Sequence, residues 1–287
     1  MNDEPQTAPD EFERAAGQIE APIASLVGDH EEDDHSADAE GARPRGIYLL
    51  PNLFTTGALF GGFYAVIASM QGDFYSGAVA IFVAMVFDGL DGRVARLTNT
   101  SSKFGAEYDS LSDMVSFGVA PALLMFNWAL SDLGKLGWVA AFLYTACAAL
   151  RLARFNTQPP DSRLGHFVGL ASPAAAALAA GSVWLGAQYE LAASEGVLAL
   201  SHAALMALLG FLMIARFPYY SFKSVKLDQR VPFARILIVI GLLGLVALDP
   251  PLVLWCLFFV YALSGPIQYL RRSNRKVEAM QDSEDAA

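Results

Sequence analysis

Cysteine and histidine are scarce in this chain, two and four among 287 residues. Cys147 and Cys256 lie far apart inside apolar blocks, in no metal-ligand or redox spacing, and read as small packing residues. His166 and His202 lack partners at ligand spacing, and His30 and His35 belong to a solvated charge run, "HEEDDH". No basic segment leads into an apolar one at the start, so the N-terminus does not read as a signal peptide. Charged residues make up only 17% of the chain, and long stretches contain none.

What fills those stretches is apolar. Blocks of about 18 to 25 residues recur, the length a helix needs to cross a ~30 Å hydrocarbon core. Eight candidate spans follow, at 48–70, 74–98, 106–130, 136–156, 168–188, 197–217, 232–249 and 251–270. Pro51-Asn52 interrupts the first, whose opening turn is expected to be interfacial, and "DPP" at Asp249 to Pro251 separates the last two. The expected fold is therefore all-α, a polytopic membrane bundle of about eight transmembrane helices.

The net charge of −10 is local. Residues 1–45 hold 13 of the acids and three arginines, which leaves 16 acids and 16 bases in the rest. That segment has few large apolar residues and no sustained period, so it reads as an acidic disordered tail. Residues 46–272 then form the membrane domain and 273–287 a polar C-terminal tail. No nucleic-acid partner is expected.

Bases are almost absent from every second loop. "QGD", "SDLGK", "QYELAASEG" and "DP" contain one, Lys135, and the other 18 Lys and Arg fall on the opposite side. By the positive-inside rule both termini and every basic loop face the cytoplasm of a multi-pass membrane protein, in a bacterium the inner membrane.

Acids are missing from the interior of spans five to eight, which makes "FDGLDGRVARLTNTSSKFGAEYDSLSDMVSFG" (Phe87 to Gly118) conspicuous. A carboxylate at the centre of a membrane helix costs on the order of 3 kcal/mol. Asp88 and Asp91 are three apart, Asp109 and Asp113 four apart, so each pair shares one helix face. The short turn between them lets two antiparallel helices bring these faces together at the cytoplasmic end. Converging carboxylates demand protons or a cation, and hard oxygen donors suit Mg²⁺, Mn²⁺ or Ca²⁺, one ion or more. Gly89, Gly92 and Gly105 leave room for a bulky ligand, and Arg96 can neutralise phosphate oxygens. Metals, Arg and open backbone together favour a diphosphate substrate.

Asp88-x2-Asp91-Gly92-x2-Ala95-Arg96-x8-Gly105-x3-Asp109-x3-Asp113 resembles the signature of the CDP-alcohol phosphatidyltransferases at every defined position. The resemblance implies a membrane-embedded helical enzyme, acting as a homodimer, that moves a phosphatidyl group from a CDP-linked lipid to an alcohol and releases CMP. It implies two divalent ions, Mg²⁺ or Mn²⁺, on Asp88, Asp91, Asp109 and Asp113, with Asp113 also the general base. Gly92, Arg96 and Ser102 would contact the CDP moiety.

Four further segments, "LPNLFTTGALFGGFYA", "ALRLARFNT", "FVGLASPAAAA" and "RFPYYSFKS", are similar to bacterial and archaeal serine-accepting members of the family. The similarity implies CDP-diacylglycerol and L-serine as substrates. Pro51, Asn52 and Thr55 are placed toward the nucleotide or diphosphate; the other reading of Asn52 and Thr55 is capping of the first span. A zwitterionic serine needs a cation for its carboxylate and an acceptor for its ammonium, and Arg151, Arg154, Asn156 and Lys223 are candidates beside their reading as topology-setting residues. Glycerol 3-phosphate or an inositol phosphate as acceptor, an intramembrane prenyltransferase and a divalent-cation transporter remain the alternatives.

Overall fold

The structure is a computed structural model; it describes residues 46–98, 100, 102–157, 166–191, 196–220 and 233–285. Eight helices run through the described residues: α1 Gly46–Met70, α2 Phe74–Thr98, α3 Lys103–Leu133, α4 Lys135–Thr157, α5 Ser172–Gln188, α6 Gly196–Ile214, α7 Phe233–Leu248 and α8 Pro250–Asp285. Five are long and apolar enough to cross a membrane: α1, α3, α4, α6 and the Pro250–Arg271 part of α8. The chain is an integral membrane protein. α5 and α7, at 17 and 16 residues, are shorter than those five, and α2 carries Asp88, Asp91 and Arg96 of the signature.

Helix ends match the apolar blocks closely, with three informative differences. α1 runs unbroken through Pro51, where an interfacial turn was expected. Pro51 lies early in the helix, where its missing N–H removes one bond. The next turn is tied by side chains: Thr55 Oγ1 donates to Pro51 O at 3.1 Å and Thr56 Oγ1 to Asn52 O at 2.7 Å. α8 continues to Asp285, so the expected polar tail is helical there.

The third difference is at the start of α5, which begins at Ser172 rather than 168. Ahead of it, β1 (His166–Val168) pairs antiparallel with β2 (Pro218–Tyr220), a short ladder among described residues that are mostly helical. Gly169 follows with φ +88°, and a Cβ there would stand 2.3 Å from Met213 O. Only glycine fits both the angle and the contact. This approach lets Gly169 N donate to Phe217 O and Leu170 N to Leu212 O, closing the end of α6 against the start of α5.

α5 is the central post. Its run Ala174 to Gly181 is buried without interruption, and it packs against α2, α3, α6 and α8. A helix apolar on every side belongs inside a bundle, and small residues let its neighbours approach closely. Outside it, α1 and α2 form an antiparallel pair, and α4 packs along α6 with their C-terminal ends together, where Arg154 meets Ile214 O.

α3 changes pitch just beyond the aspartates. Met114–Val119 is a π-helical turn, and Pro121, four residues past Phe117, offers no N–H to the Phe117 carbonyl. Tyr144 of α4, fully buried, donates its hydroxyl to that carbonyl at 2.9 Å. The wide turn is thus fixed by tertiary contact, as π-bulges at functional sites often are.

Candidate active site

Asp88 and Asp91 sit on the last turns of α2, and Asp109 and Asp113 face them from the first turns of α3. A side-chain oxygen from each of Asp88, Asp91 and Asp109 lies within 4.8 Å of the other two. Two oxygens on one Mg²⁺-sized ion stand roughly 3 to 4.2 Å apart, so this cluster is at ligating scale. Left bare, each pair of charges would repel by on the order of 3 kcal/mol at an effective dielectric of 20. Three pairs approach ~10 kcal/mol, comparable to the stability of a whole domain, so a compensating cation is well matched to the site. The donors are all carboxylate oxygens, a set suited to a hard divalent ion.

Asp113 is set apart from the other three. One turn beyond Asp109, it makes a side-chain hydrogen bond with Asp88 and lies within electrostatic reach of Asp109 and Arg151. Three aspartates thus form a cluster, and the fourth is hydrogen-bonded to one of them and within electrostatic reach of an arginine.

Helix α1 holds the site from the side. Thr55, only 3% exposed, donates Oγ1 to Asp91 Oδ2 at 2.8 Å, while its carbonyl accepts from Ser112 Oγ at 3.1 Å. Ser116 Oγ repeats the contact one turn on, donating to Ala58 O at 2.9 Å. Thr55 thus joins α1 to a carboxylate of the cluster. We expect Thr55→Val to keep the fold and weaken divalent-ion affinity about 10- to 100-fold, the scale for an outer-shell partner. Ion titration followed by calorimetry measures it; affinity equal to the unsubstituted protein's would remove Thr55 from the site.

The glycines divide in two. A Cβ at Gly89 or Gly92 would meet nothing within 4 Å, so both open the face of α2 beside the aspartates. Gly105 is close instead to Ser102 Oγ and to Asn52 Oδ1, which a Cβ would meet at 3.2 and 3.4 Å. Ser102 caps α3, accepting from Gly105 N at 3.0 Å. Arg96 is exposed and folds its Nε back onto Gly92 O at 2.8 Å, on the same open side. An apolar groove between α1 and α2, lined by Gly57, Phe60, Tyr64, Val83 and Phe87 among others, reaches the residue next to Asp88.

The residues read as acceptor-binding have different surroundings. Arg151 Nη1 donates to Ser172 Oγ at 2.7 Å, and its charge lies within reach of Asp113, Arg154, Tyr144 and Tyr261. Arg154 donates to Ile214 O at 2.9 Å, Val168 O at 2.8 Å and Met213 O at 3.3 Å, closing the end of α6. Asn156 Nδ2 donates to Ser110 Oγ at 3.0 Å, beside Asp109. Lys223 lies outside the described residues. Sequence reasoning passed over Ser112, Ser116, Tyr144 and Ser172. Only Ser112 and Ser116 left a signal, four apart on one helix face.

Fold and site define a multi-helix integral membrane protein with a cluster of three carboxylates, able to hold a cation, between two helix ends. The profile of the CDP-alcohol phosphatidyltransferases matches residues 48–215, and the chain belongs to that family. It is 36% identical over 217 residues to a Helicobacter pylori CDP-diacylglycerol–serine O-phosphatidyltransferase, spanning 76% of this chain and 90% of that one. A protein of the same description from Methanocaldococcus jannaschii is 38% identical over 193 residues, 67% of this chain and 83% of its own. One from Mycobacterium leprae is 32% identical over 238 residues, 78% and 77% respectively.

Proposed function

We propose that the protein transfers the phosphatidyl group of CDP-diacylglycerol to the hydroxyl of L-serine, giving phosphatidylserine and CMP. The observation that carries this reading is the likeness to serine O-phosphatidyltransferases over most of both chains. In the reaction the serine oxygen bonds to the lipid-side phosphorus as the bond from that phosphorus to the CMP oxygen breaks. Asp113 accepts the hydroxyl proton; its hydrogen bond to Asp88 at the edge of the aspartate cluster supports that role. Two divalent ions, Mg²⁺ or Mn²⁺, when bound by the aspartates, supply neutralisation of the diphosphate and of the departing CMP.

Gly92 and Arg96, on the open face of α2, contact the CDP moiety, with Pro51, Asn52 and Ser102 at its edge. Thr55 belongs to that wall and acts by holding Asp91. The groove between α1 and α2 suits an acyl chain. Arg151 receives the serine carboxylate. Arg154 supports it by fixing the loop before α5, Asn156 borders the same end of α4, and Lys223 is assigned there by sequence alone. The distribution of bases supports a cytoplasmic active site and cytoplasmic termini, with residues 1–45 and 273–287 as tails to a 46–272 membrane domain. A homodimer is the expected assembly.

The acceptor is tested by CMP release from CDP-diacylglycerol with purified protein. Serine is expected to stimulate release and glycerol 3-phosphate to leave it at background. Stimulation by glycerol 3-phosphate alone would replace the serine assignment.

A further inference from the structure

Two helices fix Arg151. Its own, α4, packs along α3 by one face: Tyr144 donates to Phe117 O at 2.9 Å, and a Cβ at Gly118 would stand 3.4 Å from Ala148 Cβ. Farther along the same pair, Asn156 Nδ2 donates to Ser110 Oγ at 3.0 Å, so the two helices run antiparallel. Arg151 follows Tyr144 by seven residues, two helical turns, and therefore shares the side that meets α3. It falls between those contacts on α4, as Asp113 does on α3. The second helix is α5, whose first residue, Ser172, is fully buried and accepts from Arg151 Nη1 at 2.7 Å. The backbone just before Ser172 is pinned as well. Arg154 Nη2 donates to Val168 O at 2.8 Å, and Leu170 N donates to Leu212 O at 2.9 Å.

We propose that Ser172 is a positioning residue for the acceptor, its hydroxyl holding one nitrogen of Arg151 so that the other N–H groups meet an amino-acid carboxylate. The inference rests on the serine-transferring reading above, in which Arg151 receives that carboxylate. Ser172 acts through Arg151 and touches no substrate. A guanidinium is a planar fork of five N–H donors on a long, rotatable stem. Tying one nitrogen fixes the plane of the fork, so less freedom is lost when the carboxylate docks. A neutral hydroxyl does this and leaves the positive charge to the ligand, where a carboxylate partner would cancel it. Burial strengthens the tie, because a hydrogen bond is electrostatically stronger at low local dielectric.

The test is the steady-state kinetics of Ser172→Ala, which removes one oxygen. The KM for serine is expected to rise about tenfold, the scale of one hydrogen bond to a charged group. The kcat and the KM for CDP-diacylglycerol are expected to stay unchanged. Ser172→Cys, which keeps the side chain's shape and offers only a weak acceptor, is expected to show the same rise. A double-substitution cycle asks whether the effect runs through Arg151: in an Arg151→Gln protein, Ser172→Ala should raise the serine KM no further. An unchanged serine KM in both Ser172 variants, while Arg151→Gln raises it, overturns the proposal. So does an equal rise in both KM values, or a fully additive loss in the Arg151→Gln protein, each of which marks a structural role. An unchanged serine KM in Arg151→Gln overturns Arg151 as the receiver, and wild-type CMP release that ignores serine overturns the serine reading; either takes this inference with it.

Discussion

Purified Asp88→Asn protein is expected to insert and fold normally yet lose turnover by at least roughly 10³-fold, the upper scale for one electrostatic contact to developing charge. Asp88 is both a member of the three-carboxylate cluster and the hydrogen-bond partner of Asp113, so one substitution disables the cation site and the proposed base together. Stability gives an independent readout. Replacing one of three mutually repelling carboxylates with an amide removes repulsion, so the ion-free variant should melt no lower than the ion-free wild type. Adding Mn²⁺ should raise the wild-type midpoint, by the equivalent of ~2.7 kcal/mol at a hundredfold excess over Kd, and leave the variant where it was. Wild-type CMP release with unchanged ion dependence would end the assignment of Asp88 as a ligand.

Asp113→Asn should separate chemistry from binding. Asp88, Asp91 and Asp109 cluster without Asp113, so the variant is expected to bind CDP-diacylglycerol with near-normal affinity. Its single-turnover transfer rate should fall about 10²- to 10⁴-fold, the usual cost of removing a general base. Asp109→Asn, by contrast, should weaken lipid-substrate binding as well. Near-normal transfer by Asp113→Asn would refute its role as base. Failure to bind the lipid would show instead that Asp113 serves chiefly to hold the cation.

The paired aspartates were legible because helix geometry is local. Spacings of three and four residues put each pair on one face, and a short turn brings the two faces together; the cluster of Asp88, Asp91 and Asp109 follows from that alone. Helix extents were legible for a similar reason, since a bilayer core sets their length. What escaped depends on partners distant in sequence. The contact of Thr55 with Asp91 joins residues 36 apart, and nothing in "LFTTG" distinguishes a capping threonine from one that orients a carboxylate. The π-turn after Asp113 needs the Tyr144 hydroxyl, 27 residues on, to satisfy Phe117. Arg154 shows the limit most clearly. Its spacing from Arg151 placed both at one helix end, but the start of α5 and the end of α6 decide that one guanidinium meets carbonyls and the other meets Ser172 within electrostatic reach of Asp113.

The most direct test of the account follows both products in one reaction. Chelator-stripped protein is given CDP-diacylglycerol and labelled L-serine, with or without Mg²⁺ or Mn²⁺, and labelled lipid and CMP are counted together. The account predicts phosphatidylserine and CMP in equal amounts, formed only when serine and a divalent ion are both present. CMP released without serine, or lipid labelled at full rate in chelator, would contradict it.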